Sequence, residues 1–208
     1  MWDYVKDPAE IYRRSFAIVR AESDLSGLPD DVAAVAVRLV HACGMPDIVA
    51  DLAWTDDVVA AGRRALAAGA TVIADARMVA DGVIADRLPA GNALLCPLGE
   101  PDVAERAARA GTTRSAAAVE SWPPRLGGAV VAIGTAPTAL FRLLELLSAG
   151  APRPAAILAF PVGFVGAAES KQALIGAGSG VPFLTLRGRR GGSALAAAAV
   201  NALAADAP

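Results

Sequence analysis

The chain predicts an α/β fold: a three-layer α/β/α domain with a mainly parallel sheet of about five strands, preceded by an N-terminal helical segment. Three observations predict it. The 208 residues are 55% hydrophobic and 19% charged, enough for one packed core and too apolar for a disordered chain. The first third places its apolar residues at helical spacing. Beyond it, short apolar runs bounded by glycine or proline alternate with helical segments, as central parallel strands covered on both faces do. Nothing marks a linker or a repeat, so residues 1–208 are expected to form a single domain.

Asp7-Pro8 opens the first helix, with a carboxylate to cap it and proline at the first helical position. Ile11, Tyr12, Ile18 and Val19 follow at helical spacing. A second helix starts near Pro29, carries Val32, Val35 and Leu39 on one stripe, and stops at Gly44 before Pro46. Thr55 is expected to cap a third, with Asp56 and Asp57 in its first turn and an end near Gly69. The strand candidates are Thr71–Ala74, Ala93–Cys96, Val130–Ile133, Ala156–Ala159 and Phe183–Leu186. Helices are expected near Val103–Ala110, Ser115–Ser121, Thr138–Ala149, Ala168–Ile175 and Ser193–Ala204. Ligands of such sheets sit beyond the carboxyl ends of the strands. That rule puts Asp75, Gly134-Thr135, Pro161-Val162-Gly163 and Arg187-Gly188 around one functional rim.

Composition removes several function classes. Two cysteines, Cys43 and Cys96, cannot build a disulfide scaffold and read as buried thiols of a reducing compartment. No uninterrupted apolar run of membrane-spanning length occurs, and Met1–Asp7 lacks a basic-then-apolar signal pattern. A cytoplasmic protein without a membrane partner is therefore expected. The formal net charge of −2 argues against sequence-independent nucleic-acid binding. A single histidine excludes multi-histidine metal sites and histidine relays, so imidazole chemistry must pass through His41.

His41 falls in the last turn of the second helix, three residues after Arg38, and both are rotated away from the Val32–Val35–Leu39 stripe. The ordinary explanation is a helix-end cation facing the dipole, worth about 0.3–1 kcal/mol. The sharper one is that Arg38 holds an anion while His41 exchanges a proton with the same ligand. Ser15 interrupts an apolar stripe, either back-bonding to the preceding turn or reaching into a pocket. The turn Gly188–Ser193 precedes a helix and carries Arg189 and Arg190, which makes it an anion site or a turn with solvated arginines. No P-loop pattern and no G-x-S-x-G elbow is present. By residues alone, this is an anion-binding α/β protein with one candidate acid or base, and a nucleotide-binding enzyme remains the competing reading. Trp2, Trp54 and Trp122 are assigned to packing.

Longer stretches carry a resemblance. They are Ile11-Tyr12, Arg14-Ser-Phe-Ala-Ile-Val-Arg-Ala-Glu22, Val37-Arg-Leu-Val-His-Ala-Cys-Gly44 and Thr112-Thr-Arg-Ser115. Further on come Val131-Ala-Ile-Gly-Thr-Ala-Pro-Thr-Ala-Leu-Phe141, Pro161-Val-Gly-Phe-Val-Gly-Ala-Ala-Glu-Ser-Lys171 and Gly188-Arg-Arg-Gly-Gly-Ser193. In this order, from about Asp3 to Ala204, the chain resembles the precorrin-8X methylmutases (precorrin isomerases) of cobalamin biosynthesis. Thr112 and Thr135 stand where asparagine is expected, and Ala74 where cysteine often precedes the aspartate.

The resemblance implies a methyl shift from C-11 to C-12 of a metal-free or cobalt-containing tetrapyrrole, giving hydrogenobyrinate or cobyrinate. It implies His41 as the catalytic residue, with Ser15 and Arg38 touching substrate. Arg114, Thr135, Lys171, Arg189 and the amides of Gly163 and Gly166 are then expected to clamp peripheral carboxylates. It further implies no dissociable cofactor, a homodimer with a shared cleft, and a tightly held corrinoid product passed to the next pathway enzyme. A non-catalytic tetrapyrrole carrier would share the clamp without needing His41.

Overall fold

The computed structural model describes residues 2–205. Helix α1 (Pro8–Glu22) begins where the Asp7 carboxylate accepts the Ala9 N–H at 3.1 Å. Only Val19 of this helix is buried, so α1 lies on the surface. Helix α2 (Asp30–Cys43) buries Val32, Val35, Val37, Leu39 and Val40 and ends at Gly44, whose φ of 70° suits glycine. A 3₁₀ turn, Pro46–Asp51, then leads into strand β1 (Leu52–Trp54) and helix α3 (Val58–Ala67).

The rest alternates strand and helix. Strand β2 (Val72–Ala74) is followed by α4 (Arg77–Gly82), and β3 (Leu94–Leu95) by α5 (Val103–Ala110), α6 (Arg114–Val119) and the single turn α7 (Pro123–Leu126). Strand β4 (Val130–Ile133), helix α8 (Pro137–Ser148), strand β5 (Ala156–Ala159), helix α9 (Ala167–Gly176), strand β6 (Phe183–Leu186) and helix α10 (Ser193–Ala204) complete it.

The sheet runs β1-β6-β5-β4-β2-β3, with β1 antiparallel to β6 and every other pairing parallel. All five strand candidates of the sequence are present. The sixth, β1, is a three-residue edge strand, too short to show a periodicity of its own. Side-chain alternation divides the core in two. Val130, Ala132, Ala156 and Leu158 face α2, α3, α4 and α10, whereas Val131, Ile133, Ile157 and Ala159 face α8, α9 and Trp122. This two-sided burial explains why β4 and β5 carry no polar residue.

Three expectations need correction. Thr55 does not cap α3; Asp57 holds that position without a side-chain bond. Thr55 instead joins β1 to β6: its Oγ1 accepts the Phe183 N–H at 3.1 Å and its own N–H donates to the Phe183 carbonyl. Cys43 and Cys96 are free thiols but half-buried rather than buried. Trp122 is packed as expected, but Trp2 is 92% exposed. Among the described residues, no helix is long and apolar enough to cross a membrane.

Candidate active site

Arg38 and His41 share one face of α2, as their spacing requires, and both remain accessible. Ser15 reaches across from α1 and places its Oγ 2.8 Å from His41 Nδ1. Two aromatic rings hold the imidazole: Tyr12 at 5.6 Å and Phe16 at 4.9 Å between centroids, both stacked. The guanidinium of Arg38 lies 5.7 Å over the other neighbour of that stack, the Phe16 ring. Tyr12, Ser15 and Phe16 stand at i, i+3 and i+4 on α1, so one helical face presents the whole clasp.

The clasp opens into a cleft of about 300 Å³ between α1, α2, the end of α4 and α10. Ile84 and Arg87 close one side, and Ala194, Ala198 and Asn201 of α10 form the floor. Asn201 fixes that wall. Its Nδ2 donates to the Gly82 carbonyl at 3.0 Å and its Oδ1 accepts the Ile84 N–H at 2.9 Å. Sequence reasoning missed Tyr12, Phe16, Ile84 and Asn201 as site residues. The aromatic pair was legible from its spacing with Ser15; the Asn201 link joins positions 117 apart and had no local signal.

The strand-end rim has a different character. Asp75, after β2, is buried and accepts the N–H groups of Gly134, Thr135 and Ala136 at 2.9–3.0 Å. Burial pushes its carboxyl up from the ordinary value, while the three amides pull it back down. Thr135 Oγ1 lies 3.2 Å from Ser193 Oγ at the start of α10, beside the cleft-lining Ala194. Gly134 permits that approach, because a Cβ there would sit 2.7 Å from Ser193 Cα.

Lys171 was expected to face substrate carboxylates. It is instead fully buried, with Nζ donating to the Arg190 carbonyl at 2.6 Å, so it props the glycine-rich turn from beneath. Burial lowers its pKa to about 8, against an opposing pull from Asp51. Arg190 is also engaged, with the carboxylates of Asp47 and Asp51. Gly163 donates its N–H to the Arg189 carbonyl, and Gly166 starts α9 at φ 80°. Between them Phe164 and Val165 are 85% and 88% exposed, with the Arg189 guanidinium over the Phe164 ring. Arg114 is exposed at the start of α6. None of Arg114, Thr135, Gly163, Gly166, Lys171 or Arg189 lines the His41 cleft. The cleft that holds His41 lies in the helical layer rather than among the strand-end loops.

The chain matches known proteins along nearly its whole length. The family model for precorrin-8X methylmutase matches residues 10–206. A precorrin-8X methylmutase of Pseudomonas aeruginosa is 60% identical over 206 residues, covering 99% of each chain. A cobalt-precorrin-8 methylmutase of Priestia megaterium is 34% identical, covering 94% of this chain and 87% of its own. The crystal structure of a precorrin-8X methylmutase from Thermus thermophilus superposes with a TM-score of 0.86 at 40% identity, covering 94% of each chain. The family model, the relatives and the fold agree on one conclusion: the chain belongs to the precorrin-8X methylmutase family.

Proposed function

We propose that the protein is an isomerase that moves a methyl group from C-11 to C-12 of precorrin-8X, giving hydrogenobyrinate, with His41 as proton donor. The observation that carries this reading is the Ser15–His41 pair, clasped between Tyr12 and Phe16 and open to a cleft that also presents Arg38. A sigmatropic shift needs no nucleophile; it needs the macrocycle held in its reactive tautomer. As imidazolium, His41 donates Nδ1–H to the Ser15 hydroxyl oxygen 2.8 Å away, which leaves Nε2–H for the ligand. As the double bonds shift, that proton passes to the ring nitrogen or adjacent carbon on the C-11 side. Substrate and product have the same composition, so it returns to His41 as conjugation settles. Such general acid catalysis contributes roughly 10²–10⁴-fold, and fixed orientation of the ring supplies much of the rest. The nearer of the two relatives carries the metal-free name, which supports precorrin-8X itself over its cobalt form.

The working unit is read as a homodimer. A cleft of about 300 Å³ is small for a tetrapyrrole with its side arms, so the ring overhangs it. Trp2, Tyr4, Ile11 and Ile18 are exposed on and beside α1, enough apolar surface for a second copy to cover. Across that contact Arg114, Thr135, Arg189 and the Gly163–Gly166 loop reach the carboxylates they do not reach within one chain. Two unpaired thiols fit a reducing compartment, the cytoplasm.

A visible absorption time course of the purified protein with metal-free precorrin-8X tests the reaction. Conversion to the hydrogenobyrinate chromophore is expected. Binding without conversion would replace this reading with a carrier. Sedimentation should give a species of twice the 21.0 kDa chain mass; a monomer would remove the shared cleft.

A further inference from the structure

A second cavity lies behind the His41 clasp and shares two of its walls. It holds about 190 Å³ at the meeting of α1, α2, α3 and α10, with Phe16, Arg20, Ala34, Arg38, Arg63 and Ala202 among its lining. Phe16 and Arg38 also line the His41 cleft, so this stacked pair is the partition between the two spaces. Three arginines, from three different helices, line the cavity, and no acidic residue does.

Elsewhere the arginines at 13, 14, 106, 109, 125, 142 and 190 pair with acids, whereas those at 64, 77, 87, 114, 153, 187 and 189 form no ion pair among the described residues. Among the described residues, Arg20, Arg38 and Arg63 form no ion pair. Arg63 is half-buried, and its Nε is shielded from solvent without a hydrogen-bond partner. A buried donor left unmade is costly, and like charges drawn together add to that cost. Stability alone accounts for neither. An oxyanion resolves both, because a guanidinium fork matches a carboxylate bidentately.

We propose that the Arg20–Arg38–Arg63 cavity is a carboxylate-binding subsite that takes one peripheral acid arm of the tetrapyrrole while its ring lies against His41. The volume suits the head of a single arm rather than a second ring. Arg38 then serves both spaces, stacked on Phe16 in the partition, whereas Arg20 and Arg63 act on the arm alone. Their contribution goes to affinity and registration of the ring, not to proton transfer. The inference rests on the methylmutase reading only for the identity of the oxyanion; a free oxyanion such as phosphate shares the chemistry.

Inorganic phosphate is therefore the first probe, titrated calorimetrically into wild type, Arg63→Met and Arg20→Met. Binding to wild type is expected, weakened roughly tenfold or more in both variants, the worth of a lost charged hydrogen bond. KM and kcat for the tetrapyrrole are measured alongside. KM should rise about tenfold with kcat changed less than about threefold, and Arg63→Lys should recover part of the affinity. Arg20 is exposed on α1, so its variant reads the subsite even if Arg63→Met fails to fold. Should wild type bind the tetrapyrrole without converting it, the same comparison is read from Kd in an absorbance titration. Folded variants with unchanged KM or Kd would overturn the arm assignment. Phosphate binding that depends on Arg63 beside unchanged tetrapyrrole affinity would make this a free-oxyanion site and likewise overturn it. Phosphate binding indifferent to both substitutions would show that the cavity holds no anion.

Discussion

The strand-end rim and the helical cleft are both rich in polar groups, yet they spend them differently. At the rim Asp75 accepts three amides, Lys171 donates to the Arg190 carbonyl, and Arg190 pairs with Asp47 and Asp51. Gly191 shows how tight that packing is: a Cβ there would lie 2.3 Å from the Phe160 carbonyl oxygen. In the helical layer, by contrast, Arg20, Arg38 and Arg63 keep unpaired guanidiniums, and His41 uses one ring nitrogen on Ser15. Groups that satisfy one another hold a fold; groups left with free valences are available to a ligand. The contrast separates architecture from chemistry inside one family signature, since both regions carry matching motifs.

If the part of the rim built around Asp75 and Lys171 is architectural, damage there should cost stability first. Asp75→Ala removes the acceptor of one buried and two part-buried amides and should lower unfolding free energy by about 3–5 kcal/mol in urea titration. A stable but inactive variant would move Asp75 into the chemistry. Lys171 gives a pH test of the same idea. Its pKa is about 8 folded against 10.5 unfolded. Below pH 8 both states hold the proton, and between 8 and 10.5 the unfolded chain holds more. Stability of wild type should therefore rise through that window relative to Lys171→Met, by up to about 3 kcal/mol. A parallel pair of stability curves would place the ammonium in contact with water.

In the cleft the effects should fall on rate. Ser15→Ala is expected to lower kcat about tenfold at nearly constant KM and constant Tm, the worth of one hydrogen bond that orients the imidazole. Ser15→Thr, which keeps the hydroxyl, should restore most of it. A fall in Tm instead would assign Ser15 to packing.

Much of the fold was legible because the central strands are short, apolar on both faces and punctuated by glycine and proline. The edge strand β1 was not, since three residues show no alternation and its pairing partner lies about 130 positions away. The site was half legible. Helical spacing singled out Arg38 and His41 as residues turned from their apolar stripe and Ser15 as a hydroxyl interrupting one, and α1 and α2 do bring them together. The rule for ligands at strand ends pointed to the rim, whereas His41 and its cleft lie in the helical layer. Lys171 was misread for another reason: a motif reports that a lysine is present, while only packing reports that it is buried.

The most direct test is turnover and binding measured together in His41→Ala. The account predicts that absorbance titration finds tetrapyrrole affinity within about threefold of wild type, while conversion slows by roughly 10²–10⁴-fold. Conversion at the wild-type rate by a folded His41→Ala would contradict it and return the site to the rim.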